Sequence, residues 1–441
     1  MSLLTEVDAL PAPRADRVAP HRYRVVAGRV LAVSEPGHWA FLSAPEYREY
    51  LAGLPDAHPR FDELRVKGFL AQYLDFDRLA ADAMEGSLLS WEGSHRLVLT
   101  LARGRARMSP DTLREAVDFA FTIPGPAVCL ELVAADPEAV WPLARFAAEY
   151  AARRSEWNGR RSRLWLRTPA LPPARRADEY ARVGLGLALV RDAAAAPGLG
   201  VAAARFSAAA AERAAPASRL VLTWSPKARS APIWASALRA AGFGSALVSP
   251  EAPTTLAQVP AFAAFYAAFL DAAVSDGPPL REEWAAAALR RLPPEGGRPR
   301  EERGGPLPGV DVSGELCAAP DGTLFASERG AASPDAQGGI GALGALGTTA
   351  WEELAAKEGV RALLAAAEGD HHPLCSQCAY KPACTVAPSR HLAAQGTYWG
   401  NLPLSPACGA QMAALDALFA RLADDSLRES LLGWADSWSL L

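Results

Sequence analysis

The chain has 441 residues, of which 50% are hydrophobic and 21% charged, and its formal net charge is −4. This composition is typical of a folded protein of two or three domains, and it gives no reason to expect nucleic-acid binding. No run of 18 apolar residues is free of charge, so we expect no membrane span. Residues 1–17 lack the pattern of a secretory leader. Together with the six cysteines, this leads us to expect a reducing cytoplasm.

Residues 1–90 are predicted to form a small α+β domain. Short strand-like runs flank the turn signal Glu35-Pro36-Gly37, and helical stretches follow, the first of them capped by Ser43. The strand runs are 23–33 and 39–42, and the helical stretches are 44–54 and 60–71. Such a domain is either a peptide-docking module or a lid on the next domain, and the pattern does not choose between them.

Residues 91–292 alternate between compact apolar runs and helical stretches, which predicts an α/β fold of parallel βα units closed into a full or partial barrel. The six apolar runs are 97–101, 127–133, 163–167, 185–190, 220–224 and 246–248. In such a barrel any chemistry belongs to the loops that follow the strands. A later aromatic helix, 262–273, places Phe262, Phe265, Tyr266 and Phe269 on one face, a pattern that indicates packing rather than a cofactor site.

A Pro/Gly/Arg-rich linker over 293–309 separates the barrel from a third region, residues 310–441. This region is predicted to contain a hairpin over 316–326 that turns at Asp321-Gly322. Three helices complete it, over 351–367, 411–422 and 426–438.

Four of the six cysteines lie in this third region. Cys375, Cys378 and Cys384 have the spacing Cys-x2-Cys-x5-Cys, and Cys408 follows 24 residues later. Two thiolates separated by two residues can face one metal from a tight loop, and four thiolates suit either zinc or an iron–sulfur cluster. Disulfides are disfavoured because nothing indicates secretion. The spacing therefore predicts a four-cysteine metal site and leaves the metal open.

The chain resembles radical SAM/SPASM peptide maturases, and most closely the maturases of the His-Xaa-Ser system. The cysteine motif, the stretch AAQGTYWGNLP, Cys408 and the following AALDALFARLADDSLRESLLGW are similar to the C-terminal part of that family. The segments WAFLSAPEY, MSPDTLREAVDFAF and FAAFYAAFL extend the resemblance more weakly over the rest of the chain. The resemblance implies a partial (β/α)6 TIM-type barrel, with a SPASM-like metal-binding domain and one [4Fe–4S] cluster held by the four cysteines.

The sequence departs from the family at three places where SAM and its cluster would bind. The family has Cys-x3-Cys-x2-Cys after the first barrel strand, and this chain has residues 102–107, Ala-Arg-Gly-Arg-Ala-Arg, without a cysteine. The family's Gly-Gly-Glu is matched by Ala134-Ala135-Asp136, and its Thr-Asn-Gly by Thr168-Pro169-Ala170. We therefore expect no catalytic cluster and no independent radical SAM activity, and the pattern leaves open whether SAM still binds.

Other candidate residues have ordinary interpretations. Family cysteines are matched by Ser327 and Ala387, so a second auxiliary cluster is not expected, and Cys317 stands alone in its hairpin. Cys129 is predicted to be a small core residue. The histidines His371, His372 and His391 near the cysteines are either donors to the metal site or, as we prefer, solvated loop residues. Arg103, Arg105 and Arg107 either hold an anion or, as we prefer, form a solvated loop.

The function predicted from this pattern is non-catalytic. A barrel without its catalytic cluster would assist maturation of a ribosomally synthesised peptide by binding the precursor or an active radical SAM partner. The alternatives are an active maturase with unusual cluster ligation, or a different chemistry on the same barrel.

Overall fold

The computed structural model describes residues 10–85, 96–125, 127–249, 254–275, 280–293, 314–328, 331 and 342–436. The predicted linker lies outside these residues except for Pro293.

The leading region is a three-stranded antiparallel sheet covered by helices. Its strands are β1 (His21–Val26), β2 (Arg29–Ser34) and β3 (Trp39–Leu42), in the order β1-β2-β3, and its helices are α1 (Ala44–Leu51), α2 (Phe61–Val66) and α3 (Phe76–Glu85). The run predicted over 23–33 is a hairpin, since Ala27 and Gly28 both have positive φ and form a two-residue turn. Ser43 and Glu46 form the capping box that starts α1.

A large, mostly parallel sheet forms the centre of the molecule. Its strands are β4 (Arg96–Thr100), β7 (Ala127–Val133), β8 (Arg161–Thr168), β9 (Leu185–Asp192), β10 (Arg219–Thr223), β11 (Ser245–Val248), β12 (Arg281–Glu282), β13 (Glu315–Ala318), β14 (Thr323–Phe325) and β15 (Ala342–Ala345). Their order in the sheet is β12-β11-β10-β9-β8-β7-β4-β13-β14-β15. Six of them, β4 and β7 to β11, are consecutive and parallel, and they are the six strands predicted from the sequence.

Helices connect these strands. They are α4 (Pro110–Thr122), α5 (Pro137–Asn158), α6 (Ala177–Arg182), α7 (Gly200–Glu212), α8 (Ala231–Ala240), α9 (Val259–Val274) and α10 (Glu283–Arg291). A small antiparallel hairpin, β5 (Ala102–Arg103) and β6 (Ala106–Arg107), follows β4. The hairpin predicted over 316–326 is present as β13 and β14, and β13 pairs in parallel with β4, so it extends the same sheet.

One face of the sheet carries a buried charge network. The carboxylate of Glu131 lies 2.7 Å from Nη1 of Arg96, 2.7 Å from Nε of Arg167 and 2.6 Å from Nη2 of Arg219. The three arginines come from β4, β8 and β10, so Glu131 joins strands on both sides of β7. Glu315 extends the network, 2.5 Å from Arg96.

The C-terminal region packs on both the leading sheet and the central one. Its helices are α11 (Trp351–Ala356), α12 (Glu358–Ala367), α13 (Pro388–Gln395), α14 (Pro406–Leu422) and α15 (Asp425–Asp436). The single helix predicted over 351–367 is broken at Lys357, which has extended backbone. Phe419 of α14 lies edge-on to Trp39 and Phe41 of β3, and it stacks on Tyr380. One apolar core therefore joins the leading region to the cysteine-containing region.

Helix α9 is the most apolar helix of the described chain. Among the described residues, one helix is long and apolar enough to cross a membrane by length and composition. It is Leu256–Val274, which includes the short turn before α9, and a third of its most apolar stretch is buried inside the protein. Phe262, Tyr266 and Phe269 are buried, as the sequence predicts, and the helix packs against α8 and α14.

Candidate metal centre

Three of the four predicted cysteine ligands lie on a chain of tight turns. The amide of Cys375 donates to the carbonyl of His372 (3.0 Å), that of Cys378 to the carbonyl of Cys375 (3.1 Å), and that of Cys384 to the carbonyl of Tyr380 (2.8 Å). These hydrogen bonds fold residues 372–384 back on themselves, so the three side chains approach one another without regular secondary structure.

The fourth cysteine reaches the same place from a helix. Ser405 caps α14 and accepts the amide hydrogen of Cys408 (3.1 Å), which places Cys408 in the first helical turn. A helix amino terminus carries partial positive charge, which favours a thiolate there. The helix therefore presents Cys408 in a setting suited to metal ligation.

All four cysteines line one cavity of about 620 Å³. Burial raises the pKa of Cys384 to about 12 and that of Cys408 to about 11, and the thiols of Cys375 and Cys378 add to both shifts. Four mutually repelling thiolates in one cavity are unfavourable without a cation, and metal ligation removes this cost. The donor set is therefore chemically suited to a metal group.

The spacing of the thiols bears on the kind of group. Among the described residues, no three Cys, His, Asp or Glu side chains are arranged to hold a single metal ion. Zinc–sulfur bonds of about 2.3 Å place the sulfurs of a tetrahedral site about 3.8 Å apart. A four-iron cluster is a larger body than one ion and holds its thiolates further apart. The four cysteines could serve as ligands of either group.

Two arginines that were not predicted from the sequence also line the cavity. Arg24 of β1 and Arg291 at the end of α10 both line it, and the Nε of Arg291 donates to the carbonyl of Pro382 (3.2 Å). Arg24 interacts electrostatically with Cys378, and Arg291 with Cys384. Their charges would offset part of the negative charge of a thiolate-bound cluster.

Strand β1 runs along the rim of this cavity. Tyr23 and Arg24 both line it, and because neighbouring strand residues point to opposite faces, the cavity lies beside the edge of the strand. Among the described residues β1 pairs with β2 on its other side. Arg22 donates to the carbonyl of Ser376 (2.6 Å), so the leading region holds the cysteine loop directly.

The three histidines differ from one another. His371 is exposed, as preferred from the sequence, whereas the solvated positions expected for His372 and His391 are wrong, since both are buried. His372 bonds to the carbonyl of Ala366 (2.8 Å) and packs near Trp399. The ring of His391 packs so closely on Gly400 that a Cβ there would lie 2.7 Å from it. Both rings are therefore packed in the interior rather than solvated.

Two of the loops that the family resemblance assigns to SAM and its cluster have other structures here. Residues 102–107 form the exposed hairpin β5–β6, in which Arg103 donates to the carbonyl of Ala331 (2.6 Å). Asp136 caps α5 by accepting the amides of Glu138 and Ala139. Among the described residues, the loop that follows β4 therefore offers no thiolate for an iron–sulfur cluster.

The two remaining cysteines and Ser327 are buried. Cys317 lies 3.9 Å from Oγ1 of Thr100, and burial raises its pKa to about 12. Cys129 is buried as predicted, and it lies near the arginines of the charge network rather than in a purely apolar core. Ser327 donates to Oγ of Ser389 (3.2 Å), which joins the hairpin to α13.

The fold is similar to that of solved radical SAM/SPASM structures. Native anSMEcpe with bound AdoMet has a TM-score of 0.54 at 11% identity, covering 78% of this chain and all of that one. The same protein with AdoMet and the Kp18Cys peptide gives a TM-score of 0.56 at 11% identity over 75% and 98% of the two chains. With AdoMet and the Cp18Cys peptide the score is 0.53, also at 11% identity, over 78% and 99%. No family model matches the sequence, and no curated protein matches it. The likeness shows a radical SAM-like α/β fold.

Proposed function

Starting from a radical SAM-like fold, we propose that this chain is a radical SAM/SPASM-like pseudoenzyme that holds one [4Fe–4S] cluster at Cys375, Cys378, Cys384 and Cys408. The observation that carries the proposal is a contrast between two sites. Four cysteines line one cavity, whereas the loop after β4 is an arginine hairpin without a thiol. When bound, the cluster would supply one-electron transfer and a structural link between the cysteine loop and α14.

We further propose that the protein acts in the cytoplasm in the maturation of a ribosomally synthesised peptide, in a system of the His-Xaa-Ser type, by binding the precursor or an active radical SAM partner. An extended peptide could add to the edge of β1, which runs along the cavity. Leu374 and Leu404, which are 65% and 67% exposed, flank the same cavity and offer apolar contacts. The similar structures that contain peptides agree with this proposal.

Incubation with SAM and dithionite tests the loss of catalysis. The anaerobically purified protein should form no 5′-deoxyadenosine above a protein-free blank, because residues 102–107 supply no thiolate. Turnover that disappears in the Cys375→Ala variant would contradict the proposal and make the C-terminal cluster the catalyst. Turnover that needs a second chain would support the active alternative with shared ligation.

Co-expression with a precursor peptide and with a radical SAM maturase encoded nearby tests the partner. Leu374→Glu and Leu404→Glu should each weaken retention by about tenfold, since a buried carboxylate replaces an apolar contact. Val201→Glu is the matched control, because Val201 is 86% exposed on α7 and outside the cavity lining. If neither partner co-purifies and the isolated chain converts a small molecule, the chain is instead an enzyme of a different chemistry.

A further inference from the structure

A second cavity, of about 560 Å³, lies at the amino ends of the parallel strands. It shares no lining residue with the cysteine cavity. Its walls come from the first residues of β8, β10, β11 and β12, together with residues 214–217, which precede β10, and Trp434 of α15. Cavities of this size are typical of small-molecule sites.

Arginine dominates the charge of this cavity. Arg163, Arg219 and Arg281 line it, and Glu283 is the acidic residue among the lining residues. Arg219 already forms ion pairs, since its Nη2 lies 2.6 Å from Glu131 and its Nη1 lies 3.6 Å from Glu283. Within the described part of the chain, Arg163 has no hydrogen-bond or carboxylate partner. The cavity therefore has an excess of positive charge.

One counter-charge, Glu283, lies on the cavity wall. It attracts Arg281 and accepts a hydrogen bond from Ser245 (2.6 Å), but a single carboxylate does not balance three arginines. Burial lowers the pKa of Arg163 and of Arg281, and the positive charge of Arg281 lowers that of Arg163 further. Two guanidinium groups that repel each other beside an open cavity would both be stabilised by an anion placed between them.

An indole forms part of the cavity wall and is fixed in place. Arg219 lies over the ring of Trp165, with 4.6 Å from its central carbon to the ring centroid. The Nε1 of Trp165 donates to the carbonyl of Ala217 (3.3 Å). The indole lies so close to Gly186 that a Cβ there would meet it at 2.6 Å. The wall that carries Arg219 is therefore rigid, as a preformed site requires.

We propose that this cavity binds a small molecule bearing a doubly charged oxyanion, either a phosphomonoester or a dicarboxylate, with Arg163 and Arg281 as its ligands. Both groups match the planar fork of arginine. The site lies at the end of the strands opposite to the loops where barrel chemistry normally occurs, so it is a binding or regulatory site that does not depend on the proposed function.

Titration of the full-length, metal-loaded protein with inorganic phosphate, adenosine monophosphate and succinate tests this site. Calorimetry and intrinsic tryptophan fluorescence should both report saturable 1:1 binding of at least one of them, weakened by added salt. Stronger binding of adenosine monophosphate than of succinate would identify the phosphomonoester, and the reverse order the dicarboxylate.

Three variants decide whether the arginines are responsible. Arg163→Gln and Arg281→Gln should each weaken binding by about tenfold or more. Arg163→Lys should recover only part of the loss, because an ammonium group lacks the fork. Arg161→Gln, an exposed arginine on the same strand, should change binding by less than about twofold. Absence of saturable binding by all three probes, or an equal loss in Arg161→Gln, would overturn the proposal.

Discussion

Arg24 of β1 and Asp416 of α14 form a bidentate ion pair in which both N–O distances are 2.7 Å. The hydroxyl of Tyr380 donates to the same carboxylate (2.6 Å), and Arg24 lies over the Tyr380 ring. The pair therefore ties the leading sheet to the cysteine loop and to the helix that carries Cys408.

Replacing Arg24 by Gln should loosen the cysteine cavity. The lost ion pair and cation–π contact are worth about 1–2 kcal/mol together, because both groups are only partly exposed. We expect faster loss of iron to a chelator and a lower unfolding temperature. Arg65→Gln is the matched control, since Arg65 pairs with Asp62 on the surface of the same region. Equal iron loss in both variants would show that the docking contact does not protect the metal.

Loss of one cysteine ligand should remove the metal. The anaerobic wild-type protein is expected to be brown and to contain about four irons and four sulfides per chain. Cys378→Ala should lower the iron content to below about one per chain and destabilise the C-terminal region, because ligation energy is also folding energy. Cys317→Ala, which removes a thiol outside the cavity, should retain the iron. A colourless protein with one zinc per chain would exclude the cluster and keep the four-cysteine site.

Glu131 should be essential for the stability of the central sheet. Replacing it with Gln leaves three arginines around an uncharged group, and breaking a buried ion pair in this way costs about 3–5 kcal/mol. Urea denaturation should show this loss, whereas Glu149→Gln, which disrupts an exposed pair with Arg145, should cost less than about 1 kcal/mol.

The same residue should make the protein sensitive to acid. Burial would raise the pKa of Glu131, but Arg96, Arg167 and Arg219 outweigh it and hold the pKa at about 2. A lowered pKa contributes stability that is complete above about pH 4.5 and is lost as the pH falls toward 2, up to about 3 kcal/mol. If wild-type and Glu131→Gln proteins lose stability equally over this range, the charge network is not the cause.

Glu282 should have the opposite pH dependence. Burial raises its pKa to about 7, although Tyr266 (2.6 Å) and the amides of Val248, Trp284 and Ala285 donate to its carboxylate. A raised pKa in an acid gives stability that is complete below about pH 4.5 and declines as the pH rises through 7, by up to about 3 kcal/mol.

Denaturation at pH 5 and pH 8 would measure this decline. Glu282→Gln should be less stable than wild type at pH 5, because its amide NH₂ faces a backbone donor, but its stability should change less between the two pH values. An equal change in both proteins would show that Glu282 does not titrate in this range.

The strands of the central sheet could be predicted because each is a short apolar run between helical stretches. The predicted run 127–133 matches β7 in full, and the other five differ from the observed strands by at most two residues at either end. The break at Lys357 was not predicted, because the nearest glycine, Gly359, lies inside the second helix rather than at the break. The turn at Ala27-Gly28 was missed because its alanine has no left-handed preference.

The candidate site was predicted only in part. Local spacing identified the four cysteines, and all of them line one cavity. The arginines beside them come from distant segments: Arg22 and its partner Ser376 are 354 residues apart. Periodicity cannot pair residues at such separations, and for the same reason the partners of Glu131 were not foreseen. Metal binding itself stays a prediction.

The position of β13 has a consequence for synthesis on the ribosome. Arg96 at the start of β4 pairs with Glu315 at the start of β13, 219 residues later. At about 5–20 residues per second, roughly 10–40 s pass between the emergence of the two. During that time the edge of β4 that β13 will cover presents open hydrogen-bonding groups, which invite aggregation. We therefore expect the yield of correctly folded protein to depend on chaperones that protect the nascent chain. We also expect slow translation to be tolerated better before residue 96 than after it.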